Sequence, residues 1–315
     1  MMMNTGIIPF MTNLIDYAGL FPPASLPLET AIRQHAAYQV GEDAWMLGSF
    51  VIPATKLTEL DPHLPLFSKE RPLVISAIGR KSTCADECLE ALRADLKEIA
   101  AFRERHAGLV KVGVLELPLP SALPTAELLA AIADGAVQHN LRAFCEVTIP
   151  LGNDWERLML GTLEMLSAHN LSNKAVLGLK LRTGGVLPEA FPTPGQVATV
   201  LASCRDRGIP MKFTAGLHHP VRMFRGEVGT KMHGFLNVFF AGLLAHAHFL
   251  NLGTITEILS DEEARSFAFT SEGLAWREYS LSLERIQQFR ESMLFSYGSC
   301  SFDEPREDLQ ALGLL

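Results

Sequence analysis

Gly178-Leu-Lys-Leu-Arg-Thr-Gly-Gly185 and Pro210-Met-Lys-Phe-Thr-Ala-Gly-Leu-His-His219 hold the key to this chain. Each sets a lysine, Lys180 or Lys212, at the end of a strand-like run and just before a glycine turn. Lysine normally occupies a solvated face, yet these two follow Ala-Val-Leu-Gly-Leu and Gly-Ile-Pro-Met, so their stems leave buried strands. Working outward, further short apolar runs alternate with longer amphipathic segments, the signature of repeated βα units and a parallel sheet. Strands are expected at 14–16, 46–52, 73–78, 110–117, 143–149, 175–181, 210–214 and 294–297. Helices with apolar spacing of three to four are expected at 28–39, 86–106, 125–140, 155–169 and 194–207. Eight strands in this rhythm predict an α/β fold, a (β/α)8 TIM barrel over residues 1–315, whose chemistry gathers at the C-terminal strand ends. A doubly wound open sheet is the alternative.

The seventh and eighth strands are separated by far more than one helix. Residues 221–293 read as a long helical and hairpin insertion on the catalytic face, with a lid or an oligomer contact as the expectation. It contains a Gly-rich link, an apolar helix at about 232–248, a helix start at Asp261, a hairpin at 267–277 turning at Ser271-Glu272-Gly273, and a helix at 281–293. A final short helix packed by Leu309, Leu312 and Leu315 is expected in the tail.

The 315 residues are 48% hydrophobic and 20% charged, enough to bury a full core. A net charge of −8 with no basic run argues against nucleic acid or an anionic membrane as partner. The most apolar segment, 234–245, is too short to span a bilayer and reads as a buried helix. The opening Met-Met-Met-Asn-Thr-Gly lacks the basic start and cleavage site of a signal peptide. Five scattered cysteines, Cys84, Cys88, Cys145, Cys204 and Cys300, support neither a disulfide framework nor a zinc knuckle, so a cytoplasmic location is expected.

The strand ends carry Asp16, Glu116, Glu146, Lys180 with Arg182 and Thr183, and Lys212 with Thr214, His218 and His219. Two ammonium groups close together depress each other's pKa. A lysine near 10.4 is roughly 0.04% neutral at pH 7 and one near 7 is half neutral, so the pair points to carbonyl chemistry through a Schiff base. A structural role competes for each carboxylate: Asp16 as a turn cap, Glu146 as a partner for Arg182. His218, His219 and His233 lack metal-ligand spacing, and neither metal nor cofactor is expected. Gly298-Ser299-Cys300-Ser301 offers amides and hydroxyls before an acidic helix start, suiting either an anion or a plain turn. Cys300 has no histidine near it in sequence and reads as a small buried residue.

Four segments resemble the deoxyribose-phosphate aldolase family, class I aldolases on a (β/α)8 barrel. Leu14-Ile-Asp-Tyr-Ala-Gly-Leu-Phe-Pro-Pro-Ala24 is similar to the family's opening strand and turn. Lys180-Leu-Arg-Thr-Gly184 resembles its Lys-x-Ser-Thr-Gly motif, and Lys212-Phe-Thr-Ala-Gly-Leu-His218 its Lys-Ala-Ser-Gly-Gly-Ile-Arg. Gly298-Ser-Cys-Ser301 resembles its phosphate turn. The resemblance implies that Lys180 forms the Schiff base, that Lys212 tunes it, and that Glu116 falls near the family's proton-handling aspartate. Arg182 replaces the motif's serine, His218 stands where the family has arginine, and the insertion is extra, so substrate identity is not inherited.

The expected function is therefore a class I aldolase-like lyase acting on a small anionic carbonyl substrate. Lys180 and Lys212 supply the amine chemistry, and Asp16 or Glu116 shuttles protons. Arg182, Thr183, Glu146, Thr214, His218, Gly298 and Ser299 bind substrate, and homo-oligomerisation is compatible with the insertion. A metal-independent barrel isomerase or hydrolase with Glu146 as base, or a non-catalytic ligand-binding barrel, are the alternatives.

Overall fold

All eight expected runs are strands in the computed structural model, which describes residues 6–172 and 175–315. They are β1 (Ile15–Tyr17), β2 (Leu47–Pro53), β3 (Leu73–Ile78), β4 (Val110–Pro118), β5 (Arg142–Glu146), β6 (Gly178–Arg182), β7 (Met211–Thr214) and β8 (Leu294–Ser299). They pair in sequence order, all parallel, and β8 closes on β1, so the fold is a (β/α)8 barrel and the open sheet is ruled out. Residues 1–5, on which the reading of the N-terminus rests, lie outside the described residues.

Local chemistry sets the element ends. The helix Pro194–Arg207 opens with a capping box between Thr193 and Gln196, has Pro at its first position and stops at Gly208 with φ of 61°. β6 starts at Gly178 rather than 175 because the Asn170 side chain takes both the N–H and the carbonyl of Leu177, at 2.9 Å each. β5 ends at Glu146 rather than 149, and the Thr148 hydroxyl donates to the Leu119 carbonyl at 2.8 Å.

Outward-facing strand residues build the core with the helices. Leu179 and Leu181 of β6 are buried, while the alternating Lys180 and Arg182 turn to the barrel interior. The apolar helix Phe235–His248 is the crossover helix between β7 and β8: Phe239 meets Phe213 of β7 at 5.2 Å, and Phe235 stacks on Tyr297 of β8 at 5.5 Å. Residues 235–245 are all buried, which is why that stretch is hydrophobic all round.

The rest of 221–293 differs from expectation in three places. The link folds into a hairpin of Met223–Arg225 with Thr230–Met232. The helix near Asp261 instead spans Leu252–Ser260, and Asp261 follows its end, accepting from Trp276 Nε1 at 2.8 Å. The hairpin at 267–277 gains a third strand, Tyr279–Ser282, so the following helix is Leu283–Ser292. This sheet sits by the helix Ile7–Met11, where Phe269 packs on Phe10 at 5.1 Å. No residue of 219–293 lines the cavity at the C-terminal strand ends. In the tail helix Asp303–Ala311, Leu309 is buried but Leu312 is exposed.

Candidate active site

Six charged side chains of alternating sign run through the barrel interior. Asp16 on β1 pairs with Lys212 on β7, whose Nζ lies 2.9 Å from Glu116 Oε1 on β4. The other Glu116 oxygen lies 2.5 Å from Lys180 Nζ on β6, and Lys180 reaches Glu146 Oε2 on β5 at 2.7 Å. Glu146 Oε1 ends the series on Arg182 Nη1 at 2.9 Å. Side chains from five different strands meet here because parallel neighbours align Glu146, Lys180 and Lys212 at one level, all pointing inward. All but Arg182 are at most 5% exposed, whereas Arg182 is about half exposed.

Hydroxyls complete the network. Ser76 donates to Glu116 Oε1 at 2.5 Å and Ser296 donates to Asp16 Oδ2 at 2.6 Å, while the Ser49 amide donates to Asp16 Oδ1 at 2.6 Å. Gly48 makes room, since a Cβ there would collide with Asp16 Oδ1. Sequence reading missed Ser76 and Ser296. Their signal is a small polar residue at the inward position of an otherwise apolar strand.

The electrostatics correct the expectation that the lysines depress each other. Glu116 stands between them as a shared counter-ion. Burial disfavours charge on Lys180, but Glu116 and Glu146 outweigh it and hold the ammonium above its ordinary value. Lys212 is likewise raised, with Asp16 and Glu116 outweighing burial. Burial also opposes charge on Glu116, yet Lys180 and Lys212 depress its acid to about 2. Glu146 is lowered against burial by Lys180 and Arg182. At neutral pH the resting site is thus a neutralised salt-bridge series holding both lysines as cations.

A cavity of about 480 Å³ opens over this series at the C-terminal strand ends. Lys180, Glu116, Glu146, Arg182 and His218 line it, with Thr214, Gly298 and Cys300. Lys81, on the loop after β3, also lines the cavity and was missed in the sequence because a lone loop lysine is unremarkable. Four of the expected residues lie elsewhere. Asp16 and Lys212 sit below, and Asp16 faces a cavity at the opposite barrel end. Thr183 is buried and donates to the Ala215 carbonyl at 2.6 Å, which holds the β6 and β7 turns together. Ser299 is buried, with its hydroxyl accepting from the Ser301 amide at 3.4 Å, so only its neighbours Gly298 and Cys300 reach the cavity.

His218 comes within 3.7 Å of Cys300 Sγ and 3.3 Å of Glu304 Oε2 through Nδ1. Burial works against its charge, but Cys300 and Glu304 outweigh it and raise the imidazole to about 9. The histidine that Cys300 lacks in sequence is supplied across 82 residues by closure of β8 beside β7. Lys81, Lys180, Arg182 and a protonated His218 face Glu116 and Glu146, leaving the cavity cationic within a chain of net charge −8. Among the described residues, no group of three His, Cys, Asp or Glu side chains could hold a metal ion. No described helix is long and apolar enough to cross a membrane.

No protein-family model and no curated protein matches this chain. Among solved structures it is similar to the carboxyl transferase domain of Rhizobium etli pyruvate carboxylase, with a TM-score of 0.43 and 11% identity over 69% of this chain and 38% of that one. It is also similar to an atrazine chlorohydrolase from Arthrobacter aurescens, with a TM-score of 0.33 and 10% identity over 65% of this chain and 54% of the other. In both cases the chain spans less than two thirds of the other protein's length. The barrel assignment rests on the closed strand ladder, and these likenesses add nothing about chemistry.

Proposed function

We propose that this chain is a Schiff-base lyase of the class I aldolase type, acting on a small carbonyl compound that carries an anionic group. The observation that carries this reading is that Lys180, alone of the two buried lysines, lines the cavity, with carboxylates at 2.5 and 2.7 Å to take its proton. The substrate's anionic group binds Arg182, whose planar fork suits a carboxylate or phosphate. Arg182 then releases Glu146, and a carboxylate that has lost a cationic partner holds a proton more tightly. Glu146 accepts the proton of Lys180, the neutral amine adds to the carbonyl carbon, and the carbinolamine loses water to leave an iminium. A carboxylate takes the proton of the substrate's β-hydroxyl, that carbon departs as an aldehyde or ketone, and the iminium takes the electron pair of the broken carbon–carbon bond as an enamine. Glu116, bonded to both lysines, moves protons in these steps. Reprotonation and hydrolysis, which takes up one water, return the free enzyme. Lys212 acts through Glu116 and Asp16 rather than by repelling Lys180.

The raised pKa of Lys180 also favours a second reading, an isomerase or hydrolase in which the lysines and Arg182 are permanent electrostatic clamps and Glu146 is the base. Borohydride reduction in the presence of aldehydes, ketones and keto acids, read by intact mass and peptide mapping, separates the two. An adduct on Lys180 that Lys180→Ala abolishes supports the lyase. Turnover of a substrate with no trappable adduct supports the clamp.

A further inference from the structure

A second and larger cavity, about 1080 Å³, lies at the N-terminal end of the barrel. That end of a TIM barrel ordinarily serves stability, and its chemistry is usually confined to the other face. Here the cavity is lined by three arginines, Arg71, Arg142 and Arg290. Arg290 is buried, and three of its five N–H donors are committed to the backbone carbonyls of Phe10, Thr12 and Leu294, so its main contribution is positive charge. Arg142, at the start of β5, lies over the Phe295 ring with its central carbon 4.0 Å from the centroid. That stack fixes the plane of the guanidinium and leaves its edge donors open. Among the described residues, neither Arg71 nor Arg142 forms a side-chain hydrogen bond or a salt bridge, and both are exposed.

The acidic groups in the same cavity do not cancel these cations. Asp16 is neutralised by Lys212, and Glu284 and Glu291 on the Leu283–Ser292 helix stand against three guanidinium groups. Gln39, Gln287 and Ser296 also line the walls, and they donate to the Pro72 carbonyl, Glu291 and Asp16 respectively. We propose that this cavity is a binding site for a small oxyanion, a carboxylate or a phosphate, taken by the forks of Arg142 and Arg71 in the field of Arg290. Its ligand is held at the opposite end of the barrel from Lys180 and is distinct from the substrate.

Calorimetric titration of the full chain at low ionic strength with inorganic phosphate, and separately with succinate, tests this. A saturable event that persists in Arg182→Gln is expected with at least one probe, and comparing the two arms tells a phosphate ligand from a carboxylate one. Arg142→Gln and Arg71→Gln should each weaken that event by about tenfold or more, the scale of one lost charge-assisted contact. Arg182→Gln, which alters the other cavity, should leave it unchanged. Arg142→Lys keeps the charge without the fork and should fall between wild type and Arg142→Gln, which excludes misfolding as the cause. Absence of saturable binding with both probes would overturn the proposal. So would an event insensitive to Arg142 and Arg71 but lost in Arg182→Gln, since it would then belong to the upper cavity.

Discussion

Replacing Glu116 by glutamine probes the centre of the charged series with little change of shape. Glu116 is buried and bonds Lys180 at 2.5 Å, Lys212 at 2.9 Å and Ser76 at 2.5 Å. Its acid is depressed to about 2 in the folded protein. Against an unfolded value of about 4.3, that corresponds to about 3 kcal/mol of stability. The sign follows from the depression: the contribution is fully present above about pH 4.3 and is lost as pH falls towards 2. Glu116→Gln removes it and leaves two buried ammonium groups with one carboxylate each, so the total loss at pH 7 should be about 3–5 kcal/mol. The same substitution withdraws one of the two carboxylates that raise Lys180, so its amine should become neutral at lower pH. Urea denaturation from pH 7 to 3 should show the gap between wild type and variant closing in acid. Borohydride trapping against pH should show its midpoint shifted downward in the variant, whatever its amplitude. A stability loss below about 1 kcal/mol, or a trapping midpoint that stays or rises, would refute the role of Glu116 as shared counter-ion.

Lys212→Met should retain trapping on Lys180 with a midpoint at higher pH, because Glu116 is freed to hold the Lys180 ammonium alone; peptide mapping of the adduct checks that the nucleophile has not moved. Arg182→Lys should raise KM for an anionic substrate, at a cost of about 1–3 kcal/mol in transition-state binding, since the planar fork is lost while the charge remains. His218, raised to about 9, is a cation at neutral pH, so KM for that substrate should climb as pH passes through 9, and His218→Gln should flatten the rise. Gly48→Ala places a methyl group against Asp16 Oδ1 and should destabilise the fold by about 1–3 kcal/mol in thermal or urea melts, while Gly298→Ala, whose Cβ would meet Thr214 Oγ1 at 3.5 Å, should be tolerated.

Periodicity carried the barrel. Apolar runs such as 73–78 and 110–117, spaced by amphipathic helices, are local signals, and parallel pairing in chain order leaves few other ways to bury them. Lys180 and Lys212 were legible because charge at the end of an apolar strand contradicts its surroundings. Their electrostatic state was not legible, because it depends on which carboxylate lies between them, and Glu116 reaches both only when β4 faces β6 and β7 across a closed barrel. The same closure brings His218 to Cys300 and sends Asp16 towards the lower cavity, and no spacing along the chain encodes either. Sequence alone thus determined which side chains leave the strands on the inner face, since alternation is a property of the backbone. Depth along the barrel axis decided which of them meet, and that depth is set by strand register, a relation between distant segments that only the tertiary structure fixes.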